Sequence, residues 1–205
     1  MKISVETLGK RFNREWIFKN LTYTFEAGTT YAIVGPNGSG KSTLLQVLWG
    51  QMPASLGTIT YSAAEVEIPM EDIYQSLVIA TPYMDLIEEF TAHEMVDFHF
   101  RFKKPRAGRS SKEILEYLEL SHASEKRLSN FSSGMRQRMK LGLAFYSQVP
   151  VIFLDEPSTN LDKKSIQWYH SELEKLPADC LVFIASNQEH EYPSTAKKVN
   201  ILDYK

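Results

Sequence analysis

Gly35-Pro36-Asn37-Gly38-Ser39-Gly40-Lys41-Ser42-Thr43 is the stretch from which the rest of the chain is read. It satisfies G-x-x-x-x-G-K-[ST], follows the apolar run Thr30 to Val34, and precedes a helical run from Lys41 to Trp49 with Gly50 as its cap. Glycines let such a loop turn its amides inward around phosphate oxygens, and the following helix adds positive partial charge at its N-terminus. The pattern predicts an anion site built largely from main chain. In it Lys41 bridges the terminal phosphates of a nucleotide, Ser42 coordinates Mg²⁺ between them, and Thr43 adds a second hydroxyl.

Further along, Val151-Ile152-Phe153-Leu154-Asp155-Glu156-Pro157 is a buried-strand pattern ending in two adjacent carboxylates. Ligands of parallel sheets sit at the carboxyl ends of strands, where a phosphate loop also lies. Side chains alternate, so two neighbouring acids can take two jobs: Asp155 holds Mg²⁺, and Glu156 polarises a water for attack on the γ-phosphate. Without the phosphate loop upstream, Asp-Glu-Pro after a strand reads as a solvated turn.

The remaining sequence bounds the class. The 205 residues suit one domain, and 43% hydrophobic with 23% charged residues excludes a disordered chain. With 25 acids and 23 bases the formal net charge is -2, so no basic field draws the chain to nucleic acid. Apolar runs such as Leu181 to Ala185 are strand-sized, and Met1-Lys2-Ile3-Ser4 leads into no signal-peptide core. Cys180 has no cysteine to pair with, which fits a reducing compartment and predicts a cytoplasmic protein.

Strands are expected at Lys2 to Thr7, Ile17 to Phe25, Thr30 to Val34, Thr58 to Tyr61, Leu77 to Ala80, Val151 to Leu154, Leu181 to Ala185 and Lys198 to Leu202. Thr91-Ala92-His93-Glu94 and Ser110-Ser111-Lys112-Glu113 each set a hydroxyl three residues before a carboxylate, a reciprocal helix cap. Residues 82 to 147 read as a helical insert, leaving 1 to 81 and 148 to 205 as the core of a single 205-residue domain. The fold class that follows is α/β: a phosphate-loop NTPase core with a mixed sheet, an antiparallel β subdomain and an inserted helical subdomain.

With these motifs in place the chain resembles the ATPase subunits of ATP-binding cassette (ABC) proteins over nearly its whole length. The most diagnostic stretch is Leu128-Ser129-Asn130-Phe131-Ser132-Ser133-Gly134-Met135-Arg136-Gln137-Arg138, similar to the family signature L-S-G-G-Q followed by x-Q-R. The resemblance implies that Ser132 and the amide of Gly134 meet the γ-phosphate of ATP bound to an opposite subunit. It also makes Ser158-Thr159-Asn160-Leu161-Asp162 a D-loop, with Asp162 reaching toward the partner, and Phe12 the aromatic that stacks on adenine. Trp16 is the rival for that role, and core packing the alternative for both aromatics. Asp162 also reads as a helix cap before Lys163 to Leu176, and Met135, Met139, Gly142, Leu143 and Tyr146 as core packing of one helix.

Two family positions are altered. The family's glutamine after the strand at Leu77 to Ala80 is replaced by Pro82, and its switch histidine by Asn187, which can donate one amide hydrogen bond to the γ-phosphate but carries no charge. What the resemblance implies is an ATP-binding and hydrolysing subunit using Mg²⁺, powering a separate transmembrane permease from the cytoplasmic face, with export as the expected direction. It further implies an ATP-dependent dimer with itself or a paralogous subunit, and contact with the permease through Met84, Leu86, Ile87 and Phe90. Two alternatives stay open: a soluble ABC-type nucleotide switch, and a weakly hydrolysing regulatory module suggested by Pro82 and Asn187.

Overall fold

Strand β1 (Lys2–Phe12) buries Ile3, Val5 and Leu8 while Lys2 and Glu6 face solvent, the period-two pattern of a sheet with one wet face. Its register shifts after Val5, where Thr7 takes a left-handed φ of 46° and donates its amide to Thr22 Oγ1 at 2.9 Å. β1 pairs antiparallel with β2 (Glu15–Phe25) on one side and β4 (Leu56–Ala63) on the other, and β5 (Val66–Ile68) closes the sheet in the order β2-β1-β4-β5. The computed structural model describes all 205 residues and divides into two units. Met1–Leu77, Pro150–Glu156 and Pro177–Lys205 form the first, and Val78–Val149 with Pro157–Leu176 form the second.

The first unit also holds a parallel array in the order β7-β8-β3-β9, made of β3 (Thr30–Val34), β7 (Val151–Asp155), β8 (Leu181–Ala185) and β9 (Lys197–Asn200). Every residue of β7 and β8 is buried, which is why these strands read as unbroken apolar runs. Tyr23 and Phe25 of β2, Tyr31 of β3 and Phe183 of β8 form an aromatic cluster with ring separations of 4.8 to 5.9 Å, joining the antiparallel and parallel sheets. Phe183 stacks on Phe153, and Phe153 meets Trp49 at the end of helix α1 (Lys41–Leu48).

In the second unit, entered along β6 (Leu77–Ala80), lie α2 (Ala92–Phe102), α3 (Ser111–Tyr117), α4 (Ser133–Phe145) and α5 (Lys163–Glu174). Both expected capping boxes form: Thr91 with Glu94 opens α2, and Ser110 with Glu113 opens α3. α4 buries nine consecutive residues from Gln137 to Phe145, and Phe145 packs on Trp168 and Tyr169 of α5.

Four segments depart from the sequence reading, the first being β1, which runs past the expected Thr7 to Phe12. The strand expected at Lys198 to Leu202 ends at Asn200, whose side chain accepts the Leu202 amide and turns Ile201–Tyr204 into a 3₁₀ helix. β5 was not expected, because the turn into it puts Ala64 and Glu65 in the left-handed region without the Asn-Gly that usually signals such a hairpin. Met70–Ser76 forms a 3₁₀ turn with only Ile73 buried, too little apolar periodicity to register.

Candidate functional site

Because their strands run parallel, the loops after β3, β7 and β8 leave the first unit's sheet at one edge, and they carry the phosphate loop, Asp155-Glu156 and Ser186-Asn187. The loop from Gly35 to Gly40 is held in a shape that a side chain would spoil. At Gly40, φ is +104° and a Cβ would lie 2.4 Å from Ile17 Cγ2. α1 then starts at Lys41, its first backbone bond running from Leu44 N to Gly40 O at 2.9 Å. Ser39 N donates to Pro36 O at 3.1 Å, tightening the turn around Asn37 and Gly38. Lys41 is buried, with Nζ donating to the carbonyls of Gly35 at 3.0 Å and Pro36 at 3.2 Å, so its ammonium is folded over the loop it serves. Thr43, on the first turn of α1, is partly exposed.

Asp155 ends β7 and is buried, with Oδ1 lacking any hydrogen-bond partner. Burial pushes its pKa up to about 6, against the pull of a hydrogen bond from Ser42 and of the Lys41 charge. A buried, partnerless carboxylate oxygen beside a serine hydroxyl is a hard-oxygen donor set that suits Mg²⁺ with phosphates completing the shell. Glu156 is partly exposed; its amide continues the ladder to Ala185 O at 2.9 Å, and a left-handed φ of 43° turns the chain there. Asn187 donates from Nδ2 to Asn37 Oδ1 at 3.0 Å, so the residue at the altered histidine position is fastened to the phosphate loop.

The second unit carries its own cluster. Ser132 caps α4, its hydroxyl accepting the Met135 amide at 3.3 Å, and Asp162 caps α5, its Oδ1 accepting the Ser165 amide at 2.8 Å. Ser132, Gly134, Asn160 and Asp162 line one cleft, and the lack of a side chain at Gly134 matters because a Cβ there would lie 3.0 Å from Asn160 O. Gln137 and Arg138 hold this cleft together. Gln137 Nε2 donates to Pro157 O at 2.9 Å, and Arg138 reaches Leu118 O, Glu119 Oε2 and Ser165 Oγ while its guanidinium lies over Trp168. The ABC transporter family model matches residues 18–159.

The chain belongs to the ABC transporter family.

Its relatives agree. It is 28% identical over 207 residues to the cytochrome c biogenesis ATP-binding export protein CcmA of Haemophilus influenzae, covering 100% of this chain and 97% of the relative. It is 25% identical over 205 residues to the linearmycin resistance ATP-binding protein LnrL of Bacillus subtilis, covering 98% of this chain and 66% of the relative. A solved structure of an ATP-binding protein from Pyrococcus furiosus, 22% identical, superposes with a TM-score of 0.82 over 100% of this chain and 99% of that one, so the fold is that of ABC ATP-binding proteins.

As an ABC subunit the chain differs from the sequence reading in details of side-chain placement. Phe12 is largely exposed at 45%, with the Lys10 ammonium 5.2 Å from its ring, while Trp16 has Arg11 over it. Neither aromatic is core, which removes the packing alternative for Phe12. Leu86 is buried and packs inward, whereas Met84, Ile87 and Phe90 are only partly covered. No helix is long and apolar enough to cross a membrane. Sequence reading missed Lys205, whose Nζ donates to Ser39 O at 2.8 Å, and the buried Lys140 of α4, and gave no role to the buried Arg138 that it quoted within the signature. Two buried charges in a nine-residue buried helical run are a signal in retrospect, since a lone buried cation requires partners.

Proposed function

We propose that this chain is the ATP-hydrolysing subunit of an ABC exporter, working from the inner face of the membrane on a separate permease and forming an ATP-dependent pair with a second copy or a paralogue. The observation that carries this reading is the phosphate loop closed over by Lys41 at the same sheet edge as Asp155, whose buried Oδ1 has no partner. The names of the relatives, ATP-binding proteins of export and resistance systems, favour export as the direction.

In this mechanism the loop amides and Lys41 bind the phosphates, which requires Lys41 to leave the Gly35 and Pro36 carbonyls and turn toward the nucleotide. Ser42 and Asp155 would hold Mg²⁺, which supplies neutralisation of phosphate charge when bound. Glu156 accepts a proton from a water whose oxygen bonds to the γ-phosphorus as the bond to the β,γ-bridging oxygen breaks, releasing ADP and phosphate. Asn187 donates to the γ-phosphate once it exchanges Asn37 for the nucleotide. Ser132 and the Gly134 amide, at the positive end of α4, close the site from the opposite copy, with Asp162 beside them, and Phe12 offers a ring to the adenine.

The regulatory reading, in which the chain binds ATP without useful turnover, keeps one supporting observation: the Asn187 amide is already engaged by Asn37. One assay separates the two. Glu156→Gln should lower MgATP hydrolysis about a hundredfold or more while nucleotide binding persists. Equal rates in the two proteins would remove Glu156 as the base.

A further inference from the structure

Residues 81 to 90 fill the stretch where the family's glutamine is replaced by Pro82, and they are bound to α4 and its lead-in at several points. Lys140 Nζ donates to Pro82 O at 2.8 Å and to Thr81 O at 3.3 Å. One helical turn earlier on the same face, Arg136 Nη1 pairs with Glu88 Oε1 at 2.8 Å while its Nη2 donates to Ser129 O at 3.0 Å. Main chain adds two more links, Ser129 N to Glu88 O at 3.0 Å and Leu128 N to Phe90 O at 2.8 Å. Pro82, Met84, Asp85, Leu86 and Glu88 thus form one bank of a cleft whose other bank is the Arg136 and Lys140 face of α4.

The links differ in weight. Arg136 and Glu88 are 37% and 56% exposed, and an ion pair that open contributes about 0 to 1 kcal/mol. Lys140 is only 8% exposed, and an ammonium stripped of water needs acceptors, which the two carbonyls supply. Burial also holds its pKa below the ordinary lysine value, with Asp85 pulling the other way. A proline side chain has nothing to offer a phosphate, but its carbonyl is gripped by the helix whose first turn carries Ser132 and Gly134.

We infer that Lys140 is a positioning residue that makes the 81–90 segment follow α4, so that ATP met by the first turn of α4 is registered at the surface offered to the permease. This rests on the function proposed above, since it takes α4 as the element that meets ATP on the opposite copy. The signal to the permease then leaves through the helix that senses the partner's nucleotide, and no side chain at position 82 is needed to sense the copy's own.

Hydrogen exchange of the full-length chain in a Glu156→Gln background, with and without MgATP, tests this; the Met84 and Phe90 amides, bonded to Thr81 O and Ile87 O, report on the segment. With Lys140 present, ATP should slow exchange across 81–90 about fivefold or more. Lys140→Met keeps the length and removes the ammonium: ATP affinity should stay within about twofold while the response of the segment is lost and that of the first turn of α4 remains. Should Lys140→Met unfold, Lys140→Gln keeps an uncharged amide donor on a shorter side chain and should give a reduced response. A full response in either variant overturns the inference, as does an unresponsive segment in a Lys140 protein that binds ATP and pairs. Failure of the Glu156→Gln parent to bind ATP at all would instead overturn the functional reading beneath it, and this inference with it.

Discussion

His99 on α2 sits within 2.8 Å of Ser147 Oγ, and that serine gives its only proton to Leu143 O at 2.7 Å. The imidazole must therefore be the donor, with a proton on Nε2. Burial, helped by the nearby Lys103 charge, lowers its pKa from 6.5 to about 4. Between those two values the unfolded chain binds more protons than the folded one, so this residue contributes stability above pH 6.5 that is lost as pH falls toward 4, on the order of 3 kcal/mol in all. Asp155 acts with the opposite sign: its raised pKa makes the folded state the better proton binder between 3.8 and about 6. The net acid profile mixes the two, so the test is a difference. Denaturant stability of the native chain minus that of His99→Gln should shrink steadily from pH 7 to pH 4; a constant difference would contradict the assignment. At this scale the contiguous phosphate-loop residues were legible because their geometry is local. The Asn187–Asn37 and Lys205–Ser39 contacts join residues 150 and 166 positions apart, and no spacing rule brings such pairs together.

At the scale of the element, α4 concentrates what sequence could and could not tell. The opening turns of α2 and α3 were readable because capping chemistry is local and directional, whereas Ser132, which caps α4 with no carboxylate three residues on, was read only through the family resemblance. The strand ending at Asn200 was not, since Ile201 and Leu202 extend the apolar run and a single side-chain bond from Asn200 decides the turn. Gly142 illustrates the same limit. In isolation Gly to Ala in a helix gains about 1 kcal/mol. Here a Cβ would stand 2.0, 2.6 and 2.8 Å from the three branching carbons of the buried Leu118 side chain, so the whole isobutyl group must move in a filled core. Gly142→Ala should therefore destabilise the protein by about 1 to 3 kcal/mol. Thermal unfolding reads this directly, and a rise in midpoint would show that Leu118 has room to yield.

For the whole molecule, the two sets of functional residues lie in different units of the fold: Lys41, Ser42, Asp155, Glu156 and Asn187 in the first, Ser132, Gly134 and Asp162 in the second. The phosphate loop and the acidic strand end made most of the first set recognisable in the sequence, and the resemblance to the family the rest, whereas the polar framework that holds the second set was hidden because Arg138 gathers its partners from the two residues that follow α3 and from α5. The signature match marks that arginine's position but not the partners it gathers. The central claim is that a nucleotide held by the first set in one copy is closed over by the second set of another. Sedimentation velocity on Glu156→Gln tests it most directly. With saturating MgATP the account predicts conversion of a single-chain species into a two-chain one, reversed when ATP is replaced by ADP; a protein that binds ATP yet sediments as a single chain at every nucleotide concentration would contradict it.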